Sequence, residues 1–272
     1  MKPTTRKFEI TYLRTRNAIE RKGIRLVQSA LREQYKQFLS RAKDLPHSMW
    51  DNIQISEEPI NKFFNQFYPM SARLGQMTRK QMLAQREAGR KSDTPDTLKK
   101  KSLEDDLYLS VYERHMQQLV GTSEYAERIK TITNTTKDRI NTVIREVMTE
   151  SELGGYGIDK IRQTLTDQIG SSIRGNVRAR AKAIAQTEMI SASNQASTYA
   201  ADSTGLEYRK YWSTSHLQGI RPTHIMAEQD SIRRGGLRKD EPFANGLMFP
   251  GDPAGPPEEV VNCRCTVLHE IV

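Results

Sequence analysis

The chain's only two cysteines, Cys263 and Cys265, stand one arginine apart in VVNCRCTVLHEIV, and thiols at that spacing offer three kinds of chemistry: a disulfide, a shared metal ion, or burial as small apolar side chains. The Val, Thr and Leu content predicts a strand, in which residues two apart face the same way. Cys263, Cys265 and Val267 therefore share one face, and Asn262, Arg264 and Thr266 take the other. The two Cα atoms would lie about 6.6 Å apart at ~3.3 Å per residue, near the upper limit for an unstrained disulfide. Both thiolates could reach one zinc ion if histidines completed the shell. His216, His224 and His269 all fall in the last quarter of the sequence. The paired CxxC spacing of the common zinc motifs is absent, and a cysteine on a valine-bearing face also suits a buried hydrophobe. The metal candidates are thus His224, Cys263, Cys265 and His216, with zinc as the ion, beside a reading with no cofactor in which the sulfurs pack inward.

A wider constellation, Glu188, Arg221, His224, Asp252, Glu259 and the two cysteines, has the residue types of a metal-dependent nuclease or a nucleotide-modifying enzyme. Its order matches no phosphate-cradling glycine loop, HExxH helix or nucleophile elbow. Structural roles suit each member: Glu188 pairing with an arginine across a helix contact, Arg221 and His224 tying a loop to the strand through backbone carbonyls, Asp252 in PGDP forming a turn, and Glu259 capping or pairing.

The elements that must position these residues are mostly helical. From Thr5 to about Lys43 the residues Phe8, Tyr12, Ile19, Leu26, Val27, Ala30, Leu31, Tyr35, Phe38 and Ala42 recur at helical spacing, with Gly23 as a soft point. Residues 44–59 connect to a second helix (Ile60, Phe63, Phe64, Phe67), in which Pro69 threatens a break or kink. Residues 87–97 read as a linker or exposed loop. Leu103, Leu107, Val111 and His115 mark a third helix, and Tyr125 to Val147 a fourth, ending before ELGGYG. Beyond it we expect a short helix through Ile158, Ile161, Leu165 and Ile169, a break at GSSIRGN, and a helix of about 24 residues lined by Ala and Ser. LEYRKYWS (206–213) alternates as a strand. Residues 214–259 read as one long irregular stretch.

These patterns predict an α+β protein. An extended, mostly helical N-terminal half precedes a compact C-terminal half of helices on a small, mostly antiparallel sheet. The units would be a basic helical arm (1–43), a helical region (44–153) and an α+β domain (154–272), the last expected to fold autonomously. No apolar run approaches the ~20 residues that span a bilayer, and the N-terminal stretch lacks the apolar core and small-residue cleavage site of a secretory leader.

The net charge of +9 is confined to one region. Residues 1–43 hold twelve Lys and Arg against three Glu, so the remainder is balanced. Such an arm is attracted to polyanions or to an acidic protein surface. Arg14, Arg16, Arg21, Lys22, Arg25 and Arg32 are the candidates for non-specific contact with double-stranded DNA.

From Gly154 onward the order of features resembles the phage Mu F-like minor head proteins, also called phage head morphogenesis proteins. The residues that carry the likeness are RAKAIAQTE (180–188), Asn194, Gly205, KYW (210–212), RPTH (221–224), Phe243, Gly246 and FPGDPAGPPEEVVNCRCTV (249–267). One departure stands out: where the family pattern places an acidic residue shortly before Arg-x-x-His, WSTSHLQGIRPTH has none. The resemblance implies a non-enzymatic minor head (capsid) protein of a tailed phage, made in the host cytoplasm and located in the virion inside the head. It implies the portal protein and/or major capsid protein and packaged DNA as partners, with no membrane, and an effect on DNA packaging or ejection. In such a protein Glu188, Trp212, Arg221, Asp252 and Arg264 would serve structure and assembly.

Overall fold

In the computed structural model, which describes residues 3–87, 95–215 and 219–272, the chain is α+β and most of the expected apolar rows are buried; the third helix is the exception, since Leu107 and Val111 are exposed and Tyr112, Met116 and Val120 face the core instead. Helix α1 (Pro3–Ala42) sinks Tyr12, Ile19, Val27, Leu31, Tyr35 and Phe38. They enter one hydrophobic core with residues of α2 (Glu58–Glu87), α3 (Pro95–Val120), α4 (Ser123–Gly154) and α5 (Ile158–Asp202). A short 3-10 turn, His47–Asn52, seats Trp50 against the end of α1, where its indole N–H donates to the Ala42 carbonyl at 3.1 Å. Among the described residues no helix is long and apolar enough to cross a membrane.

The soft point at Gly23 and the proline at Pro69 do not end their helices, and the expected break at GSSIRGN is absent, for one physical reason. Helix α1 runs through Gly23, α2 through Pro69, and α5 is a single helix of 45 residues where two were expected. An internal proline costs roughly 3 kcal/mol and a glycine about 1. Each buried Phe, Leu or Ile returns about 1.5–3 kcal/mol. Phe63, Phe64, Phe67 and Tyr68 flank Pro69 and are all buried, and Ile169 and Val177 bridge the GSSIRGN segment on the same inner face. Tertiary burial therefore outweighs local propensity at each site.

Two of the glycines are needed for packing. A Cβ on Gly23 would collide with the Phe67 ring, and one on Gly75 would sit 2.6 Å from the Ala196 carbonyl oxygen. The small-residue face of α5, with Ala185, Ala192, Ala196 and Ala200, thus admits α1 and α2 at close range. Gly75→Ala should lower stability by about 1–3 kcal/mol through overpacking, despite its better helix propensity. Denaturant unfolding checks this, and a gain in stability would show that the two helices have room to part.

Gly155, in the left-handed region (φ 62°, ψ 39°), ends α4, its N–H bonding to the Ser151 carbonyl. Strand β1 (Tyr208–Ser213) pairs antiparallel with β2 (Thr266–Ile271), in a register that sets Lys210 opposite His269 and Ser213 opposite Thr266. Leu237 adds an isolated bridge to Lys210. The predicted Cys-bearing strand starts late: because β1 ends at Ser213, residues 263–265 have no strand to pair with. The two-residue alternation still holds, with Cys263, Cys265 and Val267 all buried. Nor is 214–259 wholly irregular. It contains α6 (Pro222–Arg233), with Pro222 at its first turn, and the one-turn α7 (Pro257–Val260). A second core of Ile190, Trp212, Ala227, Leu237, Phe243, Leu247, Cys263, Cys265 and Val267 fills the space between these pieces and α5.

Candidate functional site

Residues from α6, β1, α7 and the segment leading into β2 meet at His224, on the first turn of α6. Its ring lies edge-on to Trp212 of β1 at 5.0 Å between centroids, and Trp212 in turn abuts Phe243 at 5.1 Å. Nε2 is 3.0 Å from Oε2 of Glu259 on α7, an ion-pair distance outside the angular range of a straight hydrogen bond. Glu259 is itself held by the Thr223 hydroxyl at 2.9 Å and the Asn245 amide at 3.3 Å. On the other side of the ring, Nδ1 faces both sulfurs, 3.4 Å from Cys265 Sγ and 3.8 Å from Cys263 Sγ. All three residues are buried, and their ligand atoms lie within 4.8 Å of one another. The Cys263 thiol is held below its ordinary pKa, first by its hydrogen bond with Cys265, whereas that same bond and burial push the Cys265 thiol up.

Helix α5 straps the cysteine segment in place. The Asn194 amide donates to the Pro250 carbonyl at 2.8 Å and the Cys265 carbonyl at 3.3 Å, and its Oδ1 accepts the Val267 N–H at 3.0 Å. The Thr187 hydroxyl accepts the Asn262 N–H, and Gln186 donates to the Asn262 carbonyl. Asn262 sits at φ 58°, a left-handed conformation that asparagine tolerates better than most residues. Arg264 turns outward and donates to Gln186 Oε1, and Arg221 donates to the Val261 carbonyl. A cleft of about 380 Å³ opens beside the cysteines, with Lys182, Gln186, Arg221 and Arg264 on its wall.

The wider constellation separates. Glu188 is buried between helices, accepting the Tyr68 hydroxyl at 2.7 Å and pairing with Arg128 at 3.0 Å. Asp252 closes a turn, accepting the Met248 and Ala254 N–H groups at 3.0 Å each. Neither is on the cleft wall. His216 lies outside the described residues.

With this arrangement in view, comparison with known proteins adds one finding: residues 142–268 match the family model described as Phage Mu protein F like protein. The match spans just under half of the chain, and the likeness is one of that span. No curated protein and no solved structure matches it. The Mu F-like span takes in the end of α4, all of α5, β1, α6 and α7, and the first half of β2, so it begins earlier than the Gly154 boundary that its motifs suggested. His224, Glu259, both cysteines and the clamp residue Asn194 all fall inside it.

The basic arm lies outside the Mu F-like span, and its outer face is ordered. At 3.6 residues per turn, Arg14, Arg21, Arg25, Arg32 and Lys36 fall within about 60° of one another along roughly 33 Å of α1. All five are exposed, with Lys22 exposed beside them. Spacings of seven and four residues repeat an eleven-residue period, a signal present in the sequence that a count of charges does not reveal. Arg16 is the exception among the expected DNA contacts. It is only 7% exposed, on the inner face of α1, where it donates to the Thr266 hydroxyl at 2.8 Å. It joins the arm to the Mu F-like sheet and cannot reach a phosphate.

Proposed function

We propose that this protein is a head morphogenesis protein of a tailed phage, a minor capsid component inside the head near the portal that affects DNA packaging or ejection. The Mu F-like match over residues 142–268 carries this reading. The basic stripe of α1 supports a role beside packaged DNA, since a line of exposed cations on a fixed rod binds duplex phosphates without reading sequence. The enzymatic alternative finds less support: none of the described residues lining the cleft is Asp or Glu, and Glu259, the carboxylate beside His224, is engaged by Thr223 and Asn245 off the cleft wall.

Two measurements test the proposal. Mass spectrometry of DNA-filled heads separated from tails should find the protein in the heads at low copy, and its absence there would overturn the assignment. The full-length protein should also bind duplex DNA with a log-log salt slope of roughly 4.5, about 0.9 for each of the five stripe cations. Changing those five residues together to Gln should remove most of the slope. An unchanged slope would turn the stripe toward an acidic surface of the portal or capsid protein instead.

A further inference from the structure

We propose that Cys263 Sγ, Cys265 Sγ and His224 Nδ1 form a binding site for a thiophilic divalent cation of the zinc class. The inference stands on the geometry of these three groups and is independent of the head assignment.

Their spacing fits a shared ion better than a hydrogen-bonded core. A tetrahedral ion with ligands at about 2.3 Å (sulfur) and about 2.05 Å (nitrogen) places S and N roughly 3.6 Å apart. The two observed separations, 3.4 and 3.8 Å, bracket that figure. The Nδ1 lone pair can accept only one S–H proton, so in a neutral core only one sulfur bonds the ring and the other is left to its cysteine neighbour. A cation would engage all three groups at once.

The surroundings agree with the donor set. Glu259 Oε2 lies 3.0 Å from Nε2, where its charge favours the Nε2–H tautomer although the contact is not a straight hydrogen bond. That tautomer leaves the Nδ1 lone pair to ligate, with the carboxylate placed as it is behind metal-bound histidines. Binding would displace one proton from each thiol, so the cation's +2 charge is met by two thiolates and two protons are released. The three protein ligands leave a fourth position for water, on the side where the same residues line the cleft. Because the ligands come from α6 and from the segment before β2, a bound cation would act as a clip that fastens the run-in to β2 onto α6.

The test uses the full chain, reduced and stripped of metal. Cobalt(II) titration should saturate at one equivalent with thiolate-to-cobalt charge-transfer absorption, and zinc should displace it. Zinc at about 1,000 times its Kd should raise Tm by on the order of 10 °C, and a chelator should reverse the shift. Glu259→Gln should weaken binding about 10–100-fold while keeping the cobalt spectrum, because it alters orientation and not the ligand set. Cys263→Ser/Cys265→Ser should abolish the charge-transfer band. Failure of the wild-type chain to bind cobalt or zinc at one equivalent overturns the proposal, as does a cobalt spectrum lacking thiolate bands. Because both readouts are taken on the wild type, the conclusion survives a serine variant that does not fold.

Discussion

Glu188→Ala is expected to lower the unfolding free energy by about 3–5 kcal/mol, the range for removing one partner of a buried ion pair. Glu188 is 3% exposed at the contact of α2, α4 and α5. Its Oε1 meets Arg128 Nη2 at 3.0 Å and its Oε2 accepts from Tyr68 at 2.7 Å. Burial, reinforced by the adjacent carboxylate, pushes the Tyr68 phenol well above its ordinary range, so it stays protonated and donates. Arg128 also reaches the Ser191 hydroxyl at 3.2 Å. Deleting the carboxylate leaves an arginine with most of its side chain out of water and no counter-charge. The double variant Arg128→Met/Glu188→Leu should recover much of the loss, since it removes both buried charges. Urea unfolding of the single and double variants reads both effects. A Glu188→Ala loss below about 1 kcal/mol would mean that water reaches Arg128 and the pair is not buried in solution.

The second large effect is a loss of stability in acid traceable to His269. Its ring is fully enclosed on β2, opposite Lys210 in the strand register and 5.2 Å from the Tyr208 ring. Burial, with Lys210 nearby, lowers its pKa from about 6.5 to about 3. Lys210 is itself lowered by burial to about 8, with its ammonium donating to the Lys239 and Met248 carbonyls. The unfolded chain therefore binds a proton that the folded chain refuses, between pH 6.5 and 3. Stability from this residue is complete above pH 6.5 and is lost as pH falls toward 3. At about 1.36 kcal/mol per pH unit the loss is about 2 kcal/mol by pH 5 and approaches about 5 at pH 3. Comparing urea midpoints at pH 7 and pH 5 for wild type and His269→Leu isolates the contribution. Equal pH dependence in the two proteins would show that the histidine is not held neutral.

The legibility of this fold in its sequence followed the strength of its local periodicities. α1 could be read because its apolar positions recur over about nine turns, and β1 because KYW and its neighbours alternate. α6 was hidden by Pro222 and by the Gly- and Pro-rich residues around it, although a proline at a first turn is itself a helix-start signal. The continuity of α5 depends on partners distant in sequence, such as those that cover Ile169 and Val177, and no local window contains them. At the site, the shared face of Cys263 and Cys265 followed from alternation alone. That His224 joins them depends on a 39-residue excursion through α6 and α7. Arg16 was misassigned because composition counts a charge without saying which way it points.

The hydrogen bond from Arg16 to Thr266 spans 250 residues, and that separation has a kinetic consequence. At roughly 5–20 residues per second of synthesis, the arginine would wait roughly 12–50 s for its acceptor to be made. Helices form in about a microsecond, so α1 exists long before anything can cover Tyr12, which bonds the Ser193 carbonyl and the Ser197 hydroxyl of α5. For most of translation the ribosome therefore carries a rod with cations along one side and bare aromatic and aliphatic side chains along the other. The sheet that completes the molecule closes last, and the nascent chain's exposure to misassociation is set by how quickly α2 and α5 arrive to shield that rod.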